Sequence, residues 1–141
     1  MKQWRIISRS YCSAGNDVIL QARLMHKDAT GTTVSNEGNA ITRADCTTLT
    51  CSLYRMINGS WQDETPPAID HMSAISDTLV DDEIWTVNDG IGRNFLHTIP
   101  GASLAAGGRY RVHYTLSLGL TGSPVVQWAH EIETLNLDPT G

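Results

Sequence analysis

A chain of 141 residues, 40 % apolar and only 18 % charged, has the length of one folded domain and too little charge for a disordered or coiled-coil protein. That length excludes a second large catalytic lobe, and a chain of this size buries roughly two-thirds of its unfolded surface without a metal or disulfide staple. The formal charge of -5 is laid out unevenly: Lys2, Arg5 and Arg9 are the only charges among residues 1–16, whereas residues 63–89 carry acids and no Lys or Arg. An acidic middle repels phosphate backbones, so direct nucleic-acid binding is not expected. Contact between subunits fits the pattern, as does a plain solubilising surface.

In chain order, residues 1–16 hold Trp4, Arg5, Arg9 and Tyr11 and read either as a contact arm or as a first strand of the chain's own sheet. This stretch has no uninterrupted apolar run, and no later segment reaches eighteen apolar residues, so neither secretion nor membrane insertion is expected. Val18, Leu20, Ala22 and Leu24 alternate as a strand, and the Gly/Thr/Ser/Asn-rich stretch 28–39 reads as a long loop. Leu49, Cys51 and Leu53 form a second alternating set, with Cys51 as a small buried hydrophobe and Cys46 at the strand's entrance. Cys12, Cys46 and Cys51 show neither a CxxC pair nor a regular metal-ligand spacing.

Asn58-Gly59-Ser60 reads as a turn, and Trp61 opens a polar loop running through Pro66-Pro67 to His71. Shorter strands are expected at 73–79, 84–87 and 94–99, with Trp85 as a core residue and a single helical turn at 102–106. The clearest strand covers 109–118: Tyr110, Val112, Tyr114, Leu116 and Leu118 share one face, and Arg109, Arg111, His113, Thr115 and Ser117 the other. After a Gly-rich link, Val126, Trp128 and Ile132 share a face of 125–134, making a C-terminal hairpin, and 135–141 reads as a short tail. About six to eight short strands predict one all-β domain over 1–141, an immunoglobulin-like antiparallel β-sandwich, with a jelly roll or small barrel as alternatives. The Cys-Trp-Cys arrangement of antibody domains is absent.

The chemical inventory assigns no catalytic residue, metal or cofactor. The histidines occur singly; only convergence of His97, His113 and His130 with Glu131 could build a mixed metal site, and strand histidines commonly serve as hydrogen-bonding groups. Asp77, Asp81, Asp82, Glu83 and Asp89 lack the EF-hand order, and a dense acidic run does not supply the raised carboxyl of a glycosidase. GxSxG, GxxxxGK[ST] and GxGxxG are all missing. Candidate interface residues are therefore the aromatic and charged ones at the basic start and acidic middle: Trp4, Arg5, Arg9, Tyr11, Trp61, Asp81, Asp82 and Glu83. Trp61 with Trp85 could instead present a platform to a carbohydrate.

The segments Asp81-Asp82-Glu83-Ile84-Trp85-Thr86, Gly92-Arg93-Asn94-Phe95-Leu96-His97-Thr98-Ile99-Pro100 and Gly107-Gly108-Arg109-Tyr110-Arg111-Val112-His113-Tyr114-Thr115-Leu116 together resemble small immunoglobulin-like accessory proteins encoded among the structural genes of tailed phages and prophages. The resemblance covers the C-terminal half and carries over no catalytic residue. It implies a structural or adaptor role in the virion, at the head, neck or tail, with repeated copies contacting other virion proteins. A host-surface or carbohydrate-binding sandwich is the alternative.

Overall fold

The computed structural model describes residues 4–25, 40–85, 90–119 and 125–135. Their strands are β1 (Ile6–Ser13), β2 (Val18–Ala22), β3 (Cys46–Ile57), β4 (Ser60–Glu64), β5 (Ile75–Val80), β6 (Arg93–Ile99), β7 (Arg109–Leu118) and β8 (Val125–Leu135), with one short helix, α1 (His71–Ala74). They form two sheets, ordered β1-β8-β7-β3-β4 and β2-β6-β5. This is the immunoglobulin-like order: β3, β7 and β8 stand where strands C, F and G stand in that fold, β4 adds a C′ strand, and β2, β6 and β5 oppose them as B, E and D. The all-β sandwich expected from the alternating pattern is thus present. One pairing departs from the antiparallel expectation, because β1 runs parallel to β8.

The period-two pattern placed β7 correctly because the opposing sheet buries one face of it and leaves the other turned outward. Tyr110, Val112, Tyr114, Leu116 and Leu118 are all buried, and they meet Leu20, Phe95 and Ile99 of the opposing sheet in one apolar core. Phe95 of β6 meets Tyr114 of β7 edge-on, ring centroids 4.8 Å apart, and Trp128 of β8 at 5.1 Å. The Val112 and Leu20 side chains fill a core that holds no disulfide; all three cysteines are free thiols.

Two polar devices fix the chain between the sheets. The Tyr110 hydroxyl accepts from the Ala105 backbone N–H at 2.7 Å, a tyrosine corner at the crossing from β6 to β7. Thr134 closes the same corner from β8, where its hydroxyl accepts from Gly108 N–H and donates to the Ala105 carbonyl. At the other end Asn94 is fully buried, donating to the Leu24 and Ile41 carbonyls and accepting from Leu24 N–H. It replaces ladder bonds that the segments around Leu24 and Ile41 would otherwise lack.

Several local expectations need correction. Residues 60–64, expected in a loop, form edge strand β4. Asn58 and Gly59, at φ 50° and 81°, make the tight hairpin turn that folds this strand back on β3, and its polar side chains hide the alternation of a core strand. The expected strand at 84–87 is a turn where described: the Asp82 carboxylate accepts from Ile84 N–H and Trp85 N–H. Residues 86–87, loop 28–39, the link after Gly119 and tail residues 136–141 lie outside the described residues. Asp70 accepts from Met72 N–H to start α1, which takes the first part of the strand expected at 73–79. The helical turn expected at 102–106 is a 3-10 turn at Gly101–Ser103. Within residues 1–16, Ile6–Ser13 join the chain's own sheet as β1. Trp85 is half-buried outside the core, with Arg23 over its ring.

Candidate functional site

The face of β7 that turns away from the core gathers the polar and aromatic residues. Cross-strand register places Arg109, Arg111 and His113 beside Glu133, Glu131 and Ala129 of β8 on one side, and Arg111 and His113 beside Tyr54 and Ser52 of β3 on the other. Arg9 and Tyr11 of β1 continue this face past Glu131 and Glu133, and Trp61 of β4 ends it. Four of the eight interface candidates, Trp4, Arg9, Tyr11 and Trp61, therefore belong to one sheet surface. Arg5 leads into the same strand, is exposed, and accepts from Ala129 N–H through its backbone carbonyl.

Two packed groups tile this surface. In the first, Trp4 stacks on His113 at 4.4 Å, and His113 meets Tyr54 at 4.8 Å. Ala129, opposite His113 on the same face, has only a methyl group and is fully buried, which leaves a seat for the indole. In the second, Arg111 and Arg109 lie over Trp61 at 4.6 and 5.7 Å, and Arg109, Arg111 and Arg9 converge on Glu131 at 3.1, 3.5 and 3.6 Å. Burial raises the Glu131 pKa, but the Arg109 hydrogen bond and the charges of Arg111, Arg109 and Arg9 outweigh that and hold it below its ordinary value.

Three buried polar atoms on this face lack a hydrogen-bond partner: Arg111 Nε, His113 Nε2 and Glu131 Oε1, the last held only by ion pairs. Such atoms carry unspent hydrogen-bonding capacity. A groove of about 390 Å³ opens beside Glu131, with Arg9, Tyr11, Arg109 and Glu133 around it. The Arg9 and Arg109 side chains are 67 % and 52 % exposed against 6 % for Glu131, so the groove presents guanidinium groups fixed from below by a buried carboxylate. Trp, Tyr and Arg are the residue types that anchor protein interfaces.

The remaining candidates lie elsewhere. Asp81, Asp82 and Glu83 sit on the turn after β5, beside the three-stranded sheet; Asp81 and Glu83 are exposed, whereas Asp82 caps the turn and pairs with Arg93 at 3.0 Å. Asp77 pairs with Arg43 at 3.6 Å. Trp61 and Trp85 stand against different sheets and form no common platform, since Gln21 of β2 donates to the Ile84 carbonyl next to Trp85.

The histidines also separate. His113 and Glu131 turn outward, whereas His97 and His130 turn into the core, so the mixed metal set does not converge; no group of three or more potential ligands occurs among the described residues. The inward pair is occupied by packing. His97 Nε2–H donates to the Ala68 carbonyl at 3.0 Å, leaving Nδ1 to accept from the Tyr114 hydroxyl at 2.7 Å. His130 Nε2 accepts from Trp128 Nε1–H, and its Nδ1 meets the Ser8 hydroxyl. Burial lowers the His97 pKa and pushes His130 down to about 4, where the charge of His97 contributes. Burial also takes Cys51 up to about 12 and raises Tyr114, so the thiol stays protonated and unreactive at neutral pH.

No family model, curated protein or solved structure matches this chain. The signal for the site that sequence reading passed over was the outward register of β7, in which Arg109, Arg111 and His113 alternate with core residues. Glu131 was legible as a charge, but not as the carboxylate shared by three arginines drawn from two other strands.

Proposed function

We propose that this chain is a non-enzymatic structural or adaptor protein of a tailed-phage particle, placed at the capsid surface, neck or tail, and that it works by contact through the outer face of the five-stranded sheet. The observation that carries the contact role is the tiling of that face by Trp4, Tyr54, Trp61, Arg9, Arg109 and Arg111 around one buried carboxylate. Such a surface is rigid before a partner arrives, because Glu131 and the aromatic rings already hold the arginines, so little side-chain entropy remains to be lost on binding. The titratable groups of the core point the same way: His97, His130, Tyr114 and Cys51 are turned to packing and held in their neutral forms at neutral pH. The resemblance of the C-terminal half to phage accessory proteins supplies the setting. In a particle, repetition turns individually weak contacts into a stable assembly.

Purified particles from the cognate phage or prophage test this reading by cross-linking and peptide identification. The expected result is the chain in complete particles, with carboxyl-directed cross-links from exposed outer-face residues such as Glu133 to other chains. Particles in which known minor components are detected and this chain is missing overturn the virion role.

A further inference from the structure

The five-stranded sheet has two open edges, β1 and β4. Strand β4 is five residues long and carries Asp63 and Glu64, charges that keep an edge from pairing with another chain. Strand β1 is eight residues long, has no Pro or Lys, and its irregularity lies between Ile6 and Ser8, ahead of a regular stretch through Ser13. In that stretch the parallel ladder fixes which main-chain groups are used. Ala14 N–H donates to the Leu135 carbonyl, so by alternation Cys12 and Ser10 turn their N–H and C=O toward β8, while Arg9 and Tyr11 turn theirs away from the sheet. No described residue pairs with that outward side. Tyr11, 65 % exposed, and the Arg9 side chain, 67 % exposed, flank it on the outer face.

We infer that β1 pairs antiparallel with β1 of a second copy about a two-fold axis at Ser10, joining two five-stranded sheets into one continuous sheet. The strand's own order of residues selects this occupant and this register. With the axis at Ser10, Arg9 faces Tyr11 of the second copy and Tyr11 faces its Arg9. The outward N–H and C=O groups of both then exchange hydrogen bonds in both directions, and each guanidinium lies beside an aromatic ring. Charge agrees with this register: Glu133, next to Tyr11 on β8, is exposed and has no ion pair with another described residue. Arg9 of the second copy arrives two strand spacings from it, about 10 Å at the backbone, within reach of the two long side chains. Neighbouring registers do not close in this way. An axis at Arg9 sets two guanidinium groups against each other. An axis at Tyr11 or Cys12 brings up Ser13, whose carbonyl already accepts from Asn16 N–H, and an axis at Ser8 sets Tyr11 against Arg5, whose carbonyl is taken by Ala129 N–H. The contact is isologous, so it stops at a dimer. It goes beyond the contact role proposed above, because the pairing does not depend on the virion setting.

Sedimentation velocity of the full chain over a concentration series tests this, together with a cross-link at the axis. Wild type is expected to pass from monomer to dimer with rising concentration and to form nothing larger. Tyr11→Pro removes the outward N–H and the ring without touching a ladder bond to β8. Tyr11→Lys keeps the main chain and sets a like charge against Arg9 of the second copy. Both variants are expected to stay monomeric to about tenfold above the wild-type midpoint, with circular dichroism and thermal unfolding establishing that they are folded. Ser10→Cys places two thiols across the axis, in a pair about 4.5 Å apart at Cα, a separation that a disulfide spans. Oxidised glutathione is expected to join Ser10→Cys chains through position 10, identified by peptide mass, and to leave them unjoined when Tyr11→Lys is added. A wild type that stays monomeric overturns the inference, as does a Tyr11→Lys variant that dimerises like wild type, or a dimer that cannot be joined at position 10. Particle cross-links from β1 to a different protein, with no dimer in solution, give the edge to that partner and overturn it as well. If the chain dimerises but is missing from particles, only the virion role falls.

Discussion

Replacing Tyr110 by Phe keeps the ring in the core and removes one oxygen, the acceptor for Ala105 N–H. The freed N–H belongs to a half-buried corner, so the expected loss is about 1–2 kcal/mol, read as a lower urea midpoint with an unchanged slope. Glu131 is a second residue whose partners decide its role. Glu131→Gln preserves volume but leaves Arg9, Arg109 and Arg111 without their shared charge, and is expected to cost about 1–3 kcal/mol at neutral pH. Because the folded protein lowers this carboxyl's pKa, its contribution is present above the ordinary value of 4.5 and is lost as pH falls through the folded value. The gap between wild type and Glu131→Gln in urea unfolding should therefore narrow with acidification; a gap that stays constant would assign the loss to packing.

At the scale of elements, the entry to β6 depends on a close backbone approach. Gly92 has φ 100°, and a Cβ there would lie 2.4 Å from the carbonyl carbon and oxygen of Val80. Both the conformation and the space require glycine, so Gly92→Ala is expected to cost more than the roughly 1 kcal/mol of an ordinary Gly-to-Ala change at positive φ, and to separate the end of β5 from β6. Amide exchange localises the effect: protection should fall first at β5 and the start of β6, while the β7–β8 pair retains its own. Uniform loss of protection across both sheets would contradict it.

The elements also differ in how legible they were. Strands β7 and β8 are long, each with a core side and an outer side, so apolar and polar residues alternate and the period is visible. Strand β4 lies at an edge with polar residues on both of its faces, and only the Asn58-Gly59 turn marked its position. At 84–87 an apolar pair beside acids suggested a strand, but the Asp82 side chain competes for the backbone N–H groups of Ile84 and Trp85 and bends the chain instead.

On the scale of the whole molecule, a polar contact joins the two sheets where His97 on β6 accepts from Tyr114 on β7, while His130 on β8 bonds Trp128 and Ser8 within the five-stranded sheet. Folding lowers the pKa of His97, and takes His130 and, on the outer face, His113 down to about 4, burial being the main cause in each case, with Arg111 adding to the effect on His113. The unfolded chain binds protons at these groups near pH 6.5 while the folded chain does not, so their stabilisation is present above 6.5 and is lost as pH falls toward 4. The expected decline is of order 1–3 kcal/mol each for His113 and His130, with His130 the larger share because His113 is covered mainly by the Trp4 ring. Urea midpoints between pH 7 and pH 4 check this, and a His113→Gln/His130→Gln variant should give a flatter profile than wild type.

The sequence by itself determined the fold class and the long central strands, because burying one face of a sheet forces a period of two that survives without knowledge of neighbours. It also carried the uneven charge of the opening, a basic start and an acidic middle. Tertiary structure alone decided what those charges face. Arg9, Arg109, Arg111 and Glu131 meet only because β1 lies parallel to β8 and β8 pairs with β7 in a particular register. The β7–β8 register turns His130 inward while leaving His113 outside, and the pairing of β6 with β2 sets His97 beside the buried Leu20, facing the core. Register is a long-range property, set by turns and by the packing of two sheets against each other, and a one-residue slip would move every one of these side chains to the other face.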